Sequence, residues 1–234
     1  MSTRIEGGVS TQLNPNATNL SSAGQNQQIQ SVGQQIQQVL FGKPKPVVLD
    51  PAKFPQVAEQ LQLLRKYKKK IANMADDDEH DYELALTQSS IAMIDAHGTI
   101  YMGVEFLMAN KNNPEIILGA LAHEIGHRPK RWKEYQQQHL LTKEEMELIC
   151  RHEETRADIF AGAALAELDL PCEPMIQFLK DIEEGPHPEY FPAETRGEVI
   201  LEAHQSRHYR AKNRRKIFPN FDRMTSVKGH LGEF

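Results

Sequence analysis

The run Leu121-Ala122-His123-Glu124-Ile125-Gly126-His127 constrains this chain more than any other stretch. Two histidines four apart on a helix share a face, with their Cβ atoms about 5–6 Å apart. Both imidazoles can then reach one metal ion, and the glutamate between them stands beside that ion as a general base. The residues before the motif predict the helix that carries it: Asn113 suits the N-cap, and Pro114 suits the first helical position, where its missing N–H costs nothing. Pro129 ends or kinks the helix just past His127. An HExxH string arises by accident in roughly one chain in twenty-five of this composition. Taken alone, it is also compatible with an amphipathic helix showing two histidines to solvent.

A second helical run supplies what the motif lacks. Thr142-Lys143-Glu144-Glu145 fits a capping box that opens a helix over 144–168. On it Glu154 and Asp158 are four apart and share a face, which also carries Ala157, Ala161 and Leu165, small or apolar residues that suit close helix packing. One carboxylate can ligate a metal while the other accepts a ring N–H from a ligating histidine and fixes its tautomer. With glutamate as third ligand the set is two imidazoles and a carboxylate with an open fourth position, which predicts one Zn2+ per chain. Cys150, one turn before Glu154, reads as a packing thiol.

His123-Glu124-Ile125-Gly126-His127 followed by Glu154-Thr155-Arg156-Ala157-Asp158 resembles the HExxH…ExxAD pattern of gluzincin metallopeptidases. The most similar group holds the CAAX prenyl endopeptidase, HtpX-type membrane proteases, their mitochondrial inner-membrane relatives and BepA-type periplasmic proteases. The resemblance spans roughly residues 55–210. It implies hydrolysis of peptide bonds in protein or peptide substrates. It further implies His123, His127 and Glu154 as metal ligands, Glu124 as the base and Asp158 as the residue behind a ligating histidine. Residues 91–103 are similar to the paired strands that precede the zinc helix in that group. There an edge strand borders the cleft and receives extended substrate, which points to Gly98, Thr99, Ile100 and Tyr101. His187-Pro188 and Arg196 resemble a His-Pro motif followed by an arginine, which implies His187 as a donor to the oxyanion; Tyr190, His204 and His208 are the alternatives.

The rest of the chain sets the frame. Its 234 residues, 25% of them charged, suit one globular domain with tails. A net charge of −5 gives no global pull towards nucleic acid, although the basic clusters Arg128–Lys133 and Arg210–Lys216 keep a nucleic-acid binder as a weak alternative. Two cysteines do not make a disulfide framework, and no run approaches 18 apolar residues. The expected setting is therefore soluble and cytoplasmic, with export by a route lacking a cleaved signal peptide as the alternative, since residues 1–46 hold no apolar h-region.

That Gln/Ser/Asn-rich arm is expected to be disordered or weakly helical. Ile29, Val32, Ile36, Val39 and Leu40 nevertheless fall at helical spacing, as a short helix packing back on the domain, a pro-segment over the cleft, or a site for a partner or chaperone at 29–40. Helices are predicted over 55–74, 175–182 and 192–212, strands over 83–87, 90–94 and 99–102, and an exposed acidic loop over 75–81. The fold expected is a single α+β, zincin-like domain, mainly helical with a small β-sheet whose edge strand borders the cleft. It divides into an arm (1–46), a zinc metallopeptidase domain (47–216) and a tail (217–234). A zinc metalloendopeptidase is the leading reading; a non-catalytic, zinc-stabilised protein-binding module acting through the arm is the alternative.

Overall fold

The structure is a computed structural model that describes residues 31–88, 92–128 and 140–217, with residues 208–217 as backbone only. Residues 1–30, Ser90, Ile91, the basic cluster beyond Arg128 with its Trp132, the tail beyond 217 and the side chain of His208 lie outside the described residues. Among the described residues, seven α-helices and a four-stranded sheet make a mixed α+β fold in which helix predominates.

From residue 31 onward the arm forms the short helix packing back on the domain that its apolar spacing allows. Ser31 and Gln34 form a capping box that starts α1 (Val32–Phe41). Val32, Ile36, Leu40 and Phe41 are buried on the domain's main core. Low overall hydrophobicity hides this, because only one face of the helix is apolar, and tertiary packing of that face is what stabilises a helix this short. The domain therefore begins before residue 47. Beyond α1, Lys45 holds Asp95 at 2.8 Å and Lys43 reaches Glu189 at 3.8 Å.

After β1 (Val48–Leu49) and two short 3₁₀ turns comes α2 (Ala58–Met74), with Leu61, Leu64 and Ile71 inward as their spacing predicts. Next are β2 (Glu83–Thr87), β3 (Ala92–Ile94) and β4 (Thr99–Gly103). Strand order is β1-β2-β4-β3, with β2 parallel to β4 and the outer pairs antiparallel. The β3–β4 turn is closed by Asp95, whose carboxylate accepts the N–H groups of His97 and Thr99. Gly98 sits there at φ 87°, and a Cβ would lie 2.0 Å from the Asp81 carbonyl oxygen.

This order overturns the assignment of Gly98, Thr99, Ile100 and Tyr101 as the substrate-facing edge. Thr99, Ile100 and Tyr101 lie in β4, which is laddered on both sides, to β2 and to β3, and Ile100 and Tyr101 are buried. Their backbone groups are already paired and cannot receive another strand. Among the described residues the edge strands are β1 and β3, and β3 is the one beside the HExxH helix.

α3 (Val104–Ala109) leads to α4 (Pro114–Gly126), which is buried throughout from Ile116 to Gly126. Around it pack α2, β3, α5 (Lys143–Glu167) and α6 (Glu173–Ile182), while α7 (Ala193–Ile217) lies along α5 and α6. Close approach of helices is built into the sequence. A Cβ on Gly126 would stand 3.0 Å from Ala157 Cα, so α4 and α5 meet backbone to backbone at the motif.

Because Ile36 is fully buried, Ile36→Ala is expected to lower unfolding free energy by about 2–5 kcal/mol. Urea denaturation of the two proteins measures it. An unchanged midpoint would mean that α1 is not docked.

Candidate metal centre

Asn113 occupies the N-cap of α4 without a side-chain cap hydrogen bond, and Pro114 opens the helix. The helix stops at Gly126, with His127 at the C-cap and Arg128 in the left-handed region at φ 44°. That unusual backbone is held by its side chain. Arg128 Nε and Nη2 donate to Asp77 at 3.2 and 3.4 Å, and Tyr82 donates its hydroxyl to the same carboxylate at 2.7 Å. Asp77, expected in an exposed acidic loop, thus faces inward and fixes where the HExxH helix ends.

Opposite α4, helix α5 opens on the predicted capping box between Thr142 and Glu145. Its inward face brings Glu154 and Asp158 to the two histidines, and all four side chains are largely buried. His123 Nε2 lies 3.2 Å from Glu154 Oε2, and His127 Nε2 lies 3.7 Å from Glu154 Oε1. One ligand atom from each of His123, His127 and Glu154 can be chosen so that the three lie within 4.8 Å of one another. These are the three ligands read from the sequence, and they could hold a metal ion.

The donor chemistry fits a cation. His123 Nδ1 stands 3.0 Å from Asp158 Oδ1, within hydrogen-bonding reach, while Nε2 faces Glu154. A neutral imidazole carries one N–H. With that proton directed at Asp158, Nε2 presents a lone pair to a buried Glu154 oxygen that receives no hydrogen bond. Something positive has to stand between them. Without a metal a second proton does so: burial opposes charging His123, but hydrogen bonds to Asp158 and Glu154 outweigh it and push its pKa up to about 10. A proton relieves only the His123–Glu154 pair, whereas a metal ion serves all three side chains.

Asp158 is fixed in turn by Arg196 from α7, whose Nε and Nη2 donate to its two oxygens at 2.7 and 2.9 Å. Burial works against the charged carboxylate, yet the bonds with His123 and Arg196 prevail and hold its pKa below the ordinary value. Arg196 reaches Asp158 because α5 and α7 touch: a Cβ on Gly162 would lie 2.3 Å from the Ile200 carbonyl oxygen. Sequence reasoning placed Arg196 only as the arginine after a His-Pro pair. Its partner depends on how α7 docks, for which the sequence offers no local signal.

Glu124 lines the cleft beside these ligands. Burial, with Glu154 adding to it and His123 opposing, pushes its carboxyl up to about 7. Two cavities meet at this point, sharing Ala92, His123, Glu124 and Tyr190 as lining. The smaller lies under the end of α1 and is bordered by β3, His127 and Glu154; the Phe41 ring meets the His127 ring edge-on at 6.0 Å. The larger opens towards α6.

His187 is exposed at the rim of the larger cavity, where Nδ1 accepts the Glu189 N–H at 3.2 Å. Tyr190 is less exposed and borders both cavities, with Arg196 over its ring at 5.2 Å. The charge of Glu154, then burial, drives its hydroxyl pKa upward, which keeps the O–H on. His204 is removed from the site, its Nε2 lying 2.8 Å from the Leu170 carbonyl oxygen. Cys150 is buried, and burial pushes its thiol up to about 12, in keeping with a packing role.

Comparison with protein-family models, with curated proteins and with solved structures finds no match to this chain.

Removing Asp158 tests the arrangement. Asp158→Ala leaves Arg196 without its bidentate partner, for an expected destabilisation of about 3–5 kcal/mol. It also frees the His123 ring, for an expected loss of about 10–100-fold in zinc affinity, read by competition with a chelating dye. The acid sensitivity has a defined sign. A depressed native pKa means that the contribution of Asp158 is complete above its ordinary 3.8 and is lost as the pH falls through the lower native value.

Proposed function

We propose that the protein is a zinc-dependent endopeptidase of the gluzincin kind, with a zincin-like arrangement of its helices and sheet. The observation that carries this reading is the convergence of His123, His127 and Glu154 beside a buried Glu124. Two imidazoles and one carboxylate suit zinc. When bound there, the ion supplies Lewis-acid activation of a water and of the substrate carbonyl.

The chain's own residues do the remainder. His123 and His127 present their Nε2 atoms, with the His123 ring oriented by Asp158 and Asp158 by Arg196. Glu124 takes the proton of the attacking water and passes it to the leaving amine, a role that needs a carboxylate with a raised proton affinity. An extended substrate adds to the open edge of β3 by backbone hydrogen bonds, which are blind to its side chains. Support for this lies in Ala92, Met93 and Ile94 lining the cleft beside the histidines. The donor to the oxyanion comes from the loop before α7. Tyr190 reaches deeper than His187 and keeps its proton, so Tyr190→Phe is expected to lower kcat by about 10²–10³-fold and His187→Ala by less.

Metal content and casein turnover, measured together for wild type and Glu124→Gln, test the reading. One zinc per chain in both, with cleavage only by the wild type, is the expected result. Zinc in both with cleavage by neither leaves a metal-stabilised binding module, and absence of zinc from the wild type overturns the proposal. The base must be ionised to act, so activity falls towards acid. Its acid limb is expected at or below about 7, because a dication near Glu124 draws the value of the metal-free site down. A limb at pH 8 or above would assign the base elsewhere.

A further inference from the structure

The smaller cavity is too tight for the substrate that a peptidase has to admit. Its volume is about 90 Å³, well below the roughly 300–1,000 Å³ of ordinary ligand pockets. The edge of β3 borders it together with His123, Glu124, His127 and Glu154. A polypeptide added to that edge needs a strip about 4.7–4.9 Å away, with side chains pointing to both faces. The space beside β3 holds a few waters' worth of volume and no such strand.

What narrows the space is the chain leaving α1. Leu40, Phe41 and Lys43 line the cavity, and so does Tyr190 from the loop before α7. Lys43 Nζ lies 3.8 Å from an oxygen of Glu189, the residue before Tyr190, so one ion pair joins two walls of the cavity. The tie is weak. The Lys43 side chain is 51% exposed, and water and salt screen a pair of that kind. On either side of Lys43 the chain is held firmly. α1 is seated on the core, and its Gln35 accepts the Leu141 N–H at 3.2 Å. Lys45 holds the nearly buried Asp95 carboxylate at 2.8 Å, and the Tyr101 hydroxyl donates to that carboxylate at 3.2 Å. Pro44 and Pro46 stiffen the chain about Lys45, so a displacement is confined to the few residues around Lys43.

We propose that residues 42–44 are a clasp over the metal-binding side chains, closed here by Lys43–Glu189 and opened by an extended polypeptide that binds along β3. The proposal rests on the peptidase reading and adds a control on access to that site. A polypeptide shifts the clasp because it binds the open form better than the closed one. Its apparent affinity is lowered by the fraction of molecules that stand open without it.

Casein binding, read by fluorescence anisotropy on zinc-loaded, full-length Glu124→Gln, tests the clasp without cleavage. Lys43→Cys and Glu189→Cys are introduced together and joined by a bismaleimide with a disulfide in its spacer, which a reductant cuts. Cys150 and Cys172 are fully buried, so the reagent goes to the introduced pair. The cross-linked protein is expected to bind dye-labelled casein at least about tenfold more weakly than the same protein after reduction. Lys43→Glu, which sets two carboxylates against each other, is expected to tighten binding by about two- to fivefold, the scale of one exposed ion pair. Lys43→Glu combined with Glu189→Lys is expected to return it to the parental value. Binding that the cross-link leaves unchanged, Lys43→Glu binding no tighter, a charge exchange that restores nothing, or no binding by any form overturns the proposal. The same cross-link in protein that keeps Glu124 separates the two readings. Undiminished casein cleavage by the cross-linked form overturns the clasp with the peptidase reading intact. Binding that follows the clasp, with no cleavage before or after reduction, leaves the clasp standing and sinks the peptidase reading instead.

Discussion

Everything at the centre of this molecule depends on the close approach of two helices at Gly126. Gly126 against Ala157 lets α4 and α5 come backbone to backbone, and only at that separation do Glu154 and Asp158 reach the ring nitrogens of His123 and His127. A larger residue at either place would push the carboxylates away from the imidazoles, and the cluster would dissolve into separate buried charges. Those are costly: an isolated ionised group in an apolar interior has to be paired or neutralised. The packing that closes the helices therefore also makes the polar centre tolerable, by bringing opposite and complementary groups into contact.

The same logic extends outward. Arg196 brings a permanent cation to Asp158, Asp158 fixes the His123 ring, and Arg196 is held in position by the α5–α7 contact at Gly162. At the other end of α4, Asp77 binds both Arg128 and Tyr82, holding the left-handed backbone of Arg128 just beyond the C-cap His127. The histidine pair is pinned from two sides, one through its rings and one through the helix end. Such rigidity is what three side chains that could hold a metal ion need, since they otherwise relax against each other.

What was legible in the sequence follows from distance along the chain. His123 with His127 and Glu154 with Asp158 are i, i+4 pairs, and helical periodicity alone puts each pair on one face. The capping box at Thr142 and the proline at 114 are equally local, and both stand where they were read. The strands were legible as strands, but their order was not. β4 follows β3 and looks like the end of a hairpin, and nothing local reveals that β2 pairs with its far side in parallel. That non-local pairing is what moved the cleft edge from Gly98–Tyr101 to Ala92–Ile94. α1 was half legible: the apolar stripe was visible, but a Gln-rich background conceals whether a stripe finds a partner. Arg196 shows the limit most clearly, since its acceptor is 38 residues away on another helix.

The end of α1 carries the last consequence. Leu40 and Phe41 complete the core, yet they and Lys43 also border the cavity beside His127 and Glu154, and Lys43 reaches across to Glu189 in the loop that carries Tyr190. One side of the cleft is thus made by a segment that the domain must recruit from its N-terminal arm. An exposed ion pair such as Lys43–Glu189 contributes little stability, about 0–1 kcal/mol. The segment is anchored instead by α1 on one side and by Lys45 on the nearly buried Asp95 carboxylate on the other. The wall beside the histidines is thus held at its two ends, by α1 and by Asp95, and only weakly between them, at Lys43.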